Sequence, residues 1–95
     1  MKKQRVYLST IDPEAGSIAR AQGLGVEIAE YCTASNMDEL FEEHHQKVLA
    51  EVEGVPRRIL HGPFNELFPC AIDPKARRLA VQRYRQACGL AANYG

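Results

Sequence analysis

The side chains best suited to chemistry follow a short apolar stretch near the middle of the chain. Ile59-Leu60 leads into His61, a Gly-Pro turn, and then the polar pair Asn65 and Glu66. This pattern predicts a strand that ends at a histidine. In parallel α/β folds, functional residues gather at the C-terminal ends of strands, because the loops converge there. The segment is therefore predicted to form one corner of a functional site.

His61 is the first candidate residue in that corner. A neutral imidazole could ligate a metal, or it could bind and polarise a substrate oxygen. The alternative is a histidine that is hydrogen-bonded within the core. A metal needs three or four protein ligands, and the sequence places no second histidine at a strand end. A metal bound through His61 is therefore not expected to bind tightly to this chain alone.

Glu27 and Glu30 are candidate substrate-binding carboxylates on the predicted second strand. Parallel strands are normally apolar on both faces, so charged residues there are unusual. Glu27 has an apolar residue on either side and should face the opposite side of the sheet from both neighbours. Glu30 lies nearer the end of the strand where a site would form. The alternative for these carboxylates is an ion pair with Arg57 or Arg58.

Asn65 and Glu66 are further candidates for substrate binding, since both could hydrogen-bond the hydroxyl groups of a polyol. Turn formation and helix capping explain the same residue types equally well. His44 and His45 are adjacent within a predicted helix and do not share a face, which argues against a metal role for them.

Three predicted strands, each followed by a helix, position these side chains. The predicted elements are strands at residues 6–9, 26–31 and 59–61, and helices at about residues 13–22, 37–53 and 74–94. A strand–helix alternation of this kind predicts an α/β fold with parallel strands and right-handed crossovers. The C-terminal ends of all three strands should then share one edge of the sheet.

Local signals mark where these helices begin and end. Asp12 and Asp73 each precede a proline, which places a capping side chain before the first helical position. Asn36 and Glu39 have the spacing of a capping box for the second helix. Gly23 is expected to stop the first helix.

Composition limits the classes of function. The 95 residues are 45% hydrophobic and 25% charged, as expected for one globular domain spanning residues 1–95. Twelve basic and twelve acidic residues balance, so neither a nucleic acid nor a membrane is expected as a partner. The odd set of cysteines (Cys32, Cys70 and Cys88) and the absence of a leader or spanning segment predict free thiols in the cytoplasm.

Four segments together resemble a known family. They are Val6-Tyr7-Leu8-Ser9-Thr10, Gly25-Val26-Glu27-Ile28, Leu60-His61-Gly62-Pro63-Phe64 and Ala92-Asn93-Tyr94-Gly95. In this order they resemble the N-terminal part of the xylose isomerase-like TIM barrels. That superfamily includes sugar-phosphate isomerases and epimerases and the related abasic-site endonucleases. The resemblance spans nearly the whole chain.

The resemblance implies a fold and a chemistry. It makes the chain the first three βα units of an eight-unit barrel, a partial domain, since a full barrel takes about 250 residues. His61 matches the histidine that lines the active site, and which ligates zinc in the endonuclease branch, and Glu27 matches the carboxylate of the second strand. The family moves a proton beside a sugar carbonyl with two carboxylates around a divalent ion (Mn, Mg, Co or Zn). Those two carboxylates and most of the metal ligands lie on later strands.

The expected function follows from that resemblance. The chain is interpreted as a fragment of a metal-dependent sugar or sugar-phosphate isomerase/epimerase, inactive without the later strands. Three strands with helices on one side would leave the barrel-facing side of the sheet uncovered, and self-association through that face is expected. The alternatives are a free-standing small α/β interaction module and a fragment of an abasic-site endonuclease-like barrel.

Overall fold

A three-stranded parallel sheet organises the fold. The computed structural model describes residue 2 and residues 5–95. Strands β1 (Tyr7–Ser9), β2 (Gly25–Ile28) and β3 (Arg58–Leu60) lie side by side in chain order. The register places Ser9 opposite Glu27, and Glu27 opposite Ile59. The predicted α/β architecture with parallel strands is confirmed.

Four helices connect and follow the strands. They are α1 (Ala15–Gln22), α2 (Ala34–Asp38), α3 (Phe41–Val52) and α4 (Pro74–Ala91), and a 3-10 turn at Ala92–Tyr94 closes the chain. The prediction of one helix over residues 37–53 is wrong. The amides of Glu39 and Leu40 both donate to the Ser35 carbonyl, so the first helix ends there and a second one begins at Phe41.

Two of the predicted helix-boundary signals are confirmed, and one is wrong. Asp73 accepts a hydrogen bond from the Lys75 amide at 2.8 Å and caps α4 as expected. Gly23 adopts the left-handed conformation (φ 70°) that ends α1. The capping box at Asn36 is wrong, because Asn36 lies inside α2 and its side-chain amide donates to the Glu30 carbonyl at 2.7 Å.

Two element boundaries also move. Helix α1 begins at Ala15, two residues later than expected, because the Asp12 carboxylate accepts from the Glu14 amide in a preceding turn. Strand β2 ends at Ile28, so Glu30 lies in the turn that follows. Because β2 is shorter than predicted, Glu30 lies outside the sheet and beside Thr10.

The hydrophobic core lies on one face of the sheet. Val26 and Ile28 on β2 are buried, together with Ala19 of α1, Val48 and Val52 of α3, and Ala87 and Leu90 of α4. Side chains alternate along a strand, so the residues between these face the other way. There Glu27 is half-buried and Ile59 is 42% exposed. The core is therefore built between the sheet and one layer of helices.

The overall dimensions agree with a two-layer arrangement. The chain measures 47 × 31 × 20 Å, and its radius of gyration is 14.6 Å. A compact domain of this length would have a radius of gyration of about 12 Å. No helix in the described part of the chain is both long and apolar enough to cross a lipid bilayer.

Candidate functional site

The loops that follow β2 and β3 are tied together at the C-terminal edge of the sheet. The amides of Phe64 and Asn65 both donate to the Cys32 carbonyl, at 3.2 and 3.3 Å. Just before them, the His61 amide donates to the Ile28 carbonyl at 2.9 Å and extends the parallel pairing of the strands by one residue. These bonds fix the backbone of His61 against β2, and they fix the loop after His61 against the loop that follows β2.

The His61 ring is oriented by its own backbone. Its Nδ1 lies 2.8 Å from the Gly62 carbonyl oxygen, which can only accept a hydrogen bond. The neutral ring therefore carries its proton on Nδ1, and the lone pair is left on Nε2. The ring also lies against Phe64 with a centroid distance of 5.3 Å and is only half-buried. This geometry differs from that of a histidine enclosed in the core.

Cys32 lies beside His61 and was not among the predicted site residues. Its Sγ is 3.3 Å from His61 Nδ1. Burial raises the pKa of the Cys32 thiol, and the negative charges of Glu27 and Glu30 raise it further. The protonated thiol is a poor nucleophile. Because Nδ1 carries the ring proton, the Cys32 sulfur can only be a weak acceptor of a hydrogen bond from the imidazole. The only sequence signal for Cys32 was its place in the loop after β2, four residues beyond Ile28, whereas His61 directly follows β3.

Glu27 lies on the side of β2 that faces away from the helices. Its neighbours Val26 and Ile28 are buried on the helix-facing side, as the alternation of the strand predicts. Its partners in the sheet are Ser9 and Ile59. A carboxylate there is available to accept hydrogen bonds from a molecule lying over the uncovered face.

Glu30 is buried, with 8% of its surface exposed. The Thr10 hydroxyl donates to Glu30 Oε2 at 2.7 Å, and the Ala29 amide donates to that same hydroxyl at 3.0 Å. Glu30 therefore joins the ends of β1 and β2. The predicted alternative of an ion pair with Arg58 is wrong, because the Arg58 guanidinium donates to the carbonyls of Val55 and Tyr94.

Asn65 and Glu66 line a separate cleft of about 440 Å³, together with residues of α2 and α4. The Glu66 backbone has a φ of 62°, a left-handed conformation that costs free energy for a residue with a side chain. His61, Glu27 and Glu30 do not line that cleft in the described structure. The five predicted residues therefore fall into three places: the strand ends, a buried contact, and this cleft.

A buried chain of hydrogen bonds lies behind the strand ends, on the helix side. The hydroxyls of Tyr31 and Tyr94 are hydrogen-bonded to each other, and His45 Nδ1 lies 3.0 Å from the Tyr94 hydroxyl. Burial, followed by the hydrogen bond to Tyr94, raises the pKa of the Tyr31 hydroxyl far above its usual value. Phe41 stacks on His45 at 5.0 Å. This network fixes the C-terminal turn against α3.

Side chains of the metal-ligating types do not cluster in the part of the chain that the structure describes. Within residue 2 and residues 5–95, no three His, Cys, Asp or Glu side chains lie close enough together to hold a metal ion. The pair of His61 and Cys32 falls short of the three or four protein ligands that a bound divalent ion of the zinc type needs.

The strand ends of β2 and β3 thus present an oriented imidazole and a half-buried carboxylate beside an uncovered sheet face. Comparison with protein-family models, with curated proteins and with solved structures finds no match for this chain.

Proposed function

We propose that the chain forms three βα units of a xylose isomerase-like TIM barrel, which acts on a sugar or sugar phosphate as an isomerase or epimerase when further strands close the ring. One observation supports this above the others. The sheet face without helices carries Glu27, and the C-terminal edge of the same sheet carries the oriented imidazole of His61. In a barrel, that face and that edge meet at the active site.

The layer arrangement supports the same proposal. A parallel sheet is normally covered on both faces, by helices on each side or by closure into a barrel. Here the helices bury their apolar residues on the Val26 and Ile28 side, and Ile59 on the other side stays 42% exposed. Closure by additional strands would bury Ile59 and turn Glu27 towards an enclosed interior.

In this proposal the chain contributes substrate binding. With its proton held on Nδ1, His61 offers the Nε2 lone pair to a sugar hydroxyl, while Glu27 accepts a hydrogen bond from a second hydroxyl. Moving a proton beside a carbonyl needs an acid and a base in reach of the carbon. The resemblance places those groups, and most ligands of the divalent ion, on strands that would follow these three.

Fragment complementation tests the proposal. The chain is mixed with the five remaining units of a barrel from this family, and isomerase and epimerase activity is measured on a panel of aldose and ketose sugars and their phosphates. We expect activity only in the mixture, and a loss of about tenfold or more with His61→Ala or Glu27→Gln. The first substitution removes a hydrogen bond to substrate, and the second replaces a charged acceptor with a weaker, neutral one. Glu43→Gln, an exposed change on α3, is the matched control. A stable but inactive complex would contradict the proposal.

A second candidate is an interaction module, favoured by one observation. The loop between β3 and α4 exposes Phe64 by 56%, Phe68 by 63% and Ile72 by 96%. Apolar side chains exposed to that extent within one loop are typical of a protein-binding surface. Failure of complementation together with a well-folded monomer would favour this reading.

The cysteines support a proposed location in the cytoplasm. Cys32, Cys70 and Cys88 are all free thiols in the structure, and Cys70 and Cys88 are exposed. Exposed thiols are typical of reducing compartments.

A further inference from the structure

Helix α4 carries five basic residues and no acidic ones: Lys75, Arg77, Arg78, Arg83 and Arg85. One of them is paired with an acidic side chain of the same protein. Arg83 forms an ion pair with Asp38 at 2.8 Å and also contacts Gln86. Arg78 and Arg85 make no hydrogen bond or ion pair with any residue in the described part of the chain. The fold thus pairs Arg83 with a carboxylate and leaves Arg78 and Arg85 without a partner among the described residues.

Three arginines without an acidic partner line a cleft of about 800 Å³ between α4 and the loop that precedes it. Arg77, Arg78 and Arg85 supply its charge, while Pro69, Pro74 and Val81 supply apolar walls. No acidic side chain lines this cleft among the residues that the structure describes. Ligand pockets typically enclose about 300–1,000 Å³, so the space suits a small organic molecule.

Arg77 is held in place before any ligand arrives. Its Nη1 donates to the carbonyls of Ala71 and Ile72, at 2.7 and 3.0 Å. A guanidinium has five N–H groups, so those on Nη2 and Nε remain available. An arginine that is already ordered loses less conformational entropy when it binds an anion. This preorganisation distinguishes the cleft from a merely basic helix face.

Arg78 and Arg85 extend the charge along the helix. They are seven residues apart, which places them on one stripe of α4 about 10 Å apart along its axis. Planar guanidinium groups bind phosphate oxygens through paired hydrogen bonds. Three arginines and apolar walls within one cleft match a ligand that has an anionic part and an apolar part.

We propose that this cleft binds a phosphate-bearing small molecule, with its phosphate on the arginines and its organic part against Pro69, Pro74 and Val81. The cleft lies on the outer side of α4 and shares no lining residue with the proposed sugar site at β2 and β3. Ligand binding in this cleft can therefore be tested whether or not the isomerase proposal holds.

Calorimetric titration of the full chain tests the proposal with four probes: inorganic phosphate, ribose 5-phosphate, adenosine 5′-phosphate and citrate. We expect saturable binding of the phosphates at millimolar concentrations or below, and tighter binding of the two organic phosphates than of inorganic phosphate. Arg78→Gln and Arg85→Gln should each weaken binding by about tenfold or more, since each removes charged hydrogen bonds. Thermal melting verifies that both variants fold.

Lys47→Gln is the matched control, because it removes one positive charge from α3, away from the cleft. It should leave the affinity unchanged. An equal loss in Lys47→Gln would show general electrostatic attraction and overturn the proposal. Citrate binding as tightly as the phosphates, or the absence of saturable binding, would also overturn it.

Discussion

At the scale of single residues, the position of His61 at the end of a strand could be predicted, but its contact with Cys32 could not. An apolar strand followed by a Gly-Pro turn places the imidazole at a strand end whatever the rest of the chain does. Its contact with Cys32 depends on how two loops 29 residues apart meet, which no local pattern encodes. The sequence also did not predict that Glu30 lies in a turn, for a related reason. The Thr10 hydroxyl, 20 residues away in the chain, donates a hydrogen bond to the Glu30 carboxylate just after β2 ends.

The raised pKa of Cys32 predicts slow alkylation. Cys32 should react with iodoacetamide more slowly than the exposed Cys70 and Cys88 at neutral pH, because only the thiolate reacts and burial together with two nearby carboxylates disfavours it. Its rate should rise as the pH is made alkaline and the thiol ionises. Mass spectrometry of tryptic peptides measures the three rates. Preferential labelling of Cys32 at neutral pH would show instead that His61 activates the thiol.

The tyrosine pair predicts a specific loss of stability. Tyr94→Phe leaves the fully buried Tyr31 hydroxyl and His45 Nδ1 without their shared partner. An unsatisfied buried polar group costs about 1–3 kcal/mol, so the free energy of unfolding should fall by that amount. Urea denaturation measures it.

Tyr84→Phe is the control for that experiment. Tyr84 is half-buried, and its hydroxyl makes no hydrogen bond with the other described residues. Equal effects of the two substitutions would mean that the hydroxyl chain adds nothing to stability.

At the scale of elements, periodicity predicted the helices better than it predicted their breaks. The apolar spacing of residues 37–53 continues across Glu39 and Leu40, so the pattern alone indicates one helix. The break instead depends on competition for the Ser35 carbonyl and on the packing that buries Met37. Capping by Asp73 could be predicted because it involves only neighbouring backbone.

The close approach of α1 and α3 predicts opposite effects for two glycines. A methyl group on Gly16 would overlap the Glu51 carbonyl, so Gly16→Ala should force the helices apart and destabilise the protein by about 1–3 kcal/mol. Gly89 in α4 has open space around it, and Gly89→Ala should stabilise the protein by up to about 1 kcal/mol. Thermal melting of both variants gives the comparison. Equal shifts would mean that α1 moves freely over α3.

At the scale of the whole molecule, the sheet has one covered face and one open face. The strand order and the single helix layer could be anticipated from the βα alternation. Whatever covers the open face could not be anticipated, because no local pattern in these three strands encodes it. The radius of gyration of 14.6 Å is larger than the value of about 12 Å for a compact domain of this length.

The open face predicts self-association of the isolated chain. Ile59→Lys, at a position 42% exposed on that face, should weaken the association by at least about tenfold, because it places a charge in the interface. Ile18→Lys on α1, where the side chain is 40% exposed, is the matched control and should have no effect. Sedimentation at several concentrations measures the dissociation constants. A compact monomer at every concentration would contradict the prediction.

The division of charge between helices has a practical consequence. Helix α4 carries only positive charges and α3 carries mostly negative ones. Among the residues that the structure describes, one ion pair, Arg83 with Asp38, joins α4 to α2. A chain with no net charge can therefore have a large permanent dipole moment. Such a molecule binds both cation and anion exchange resins at neutral pH, and it orients as it approaches any charged surface.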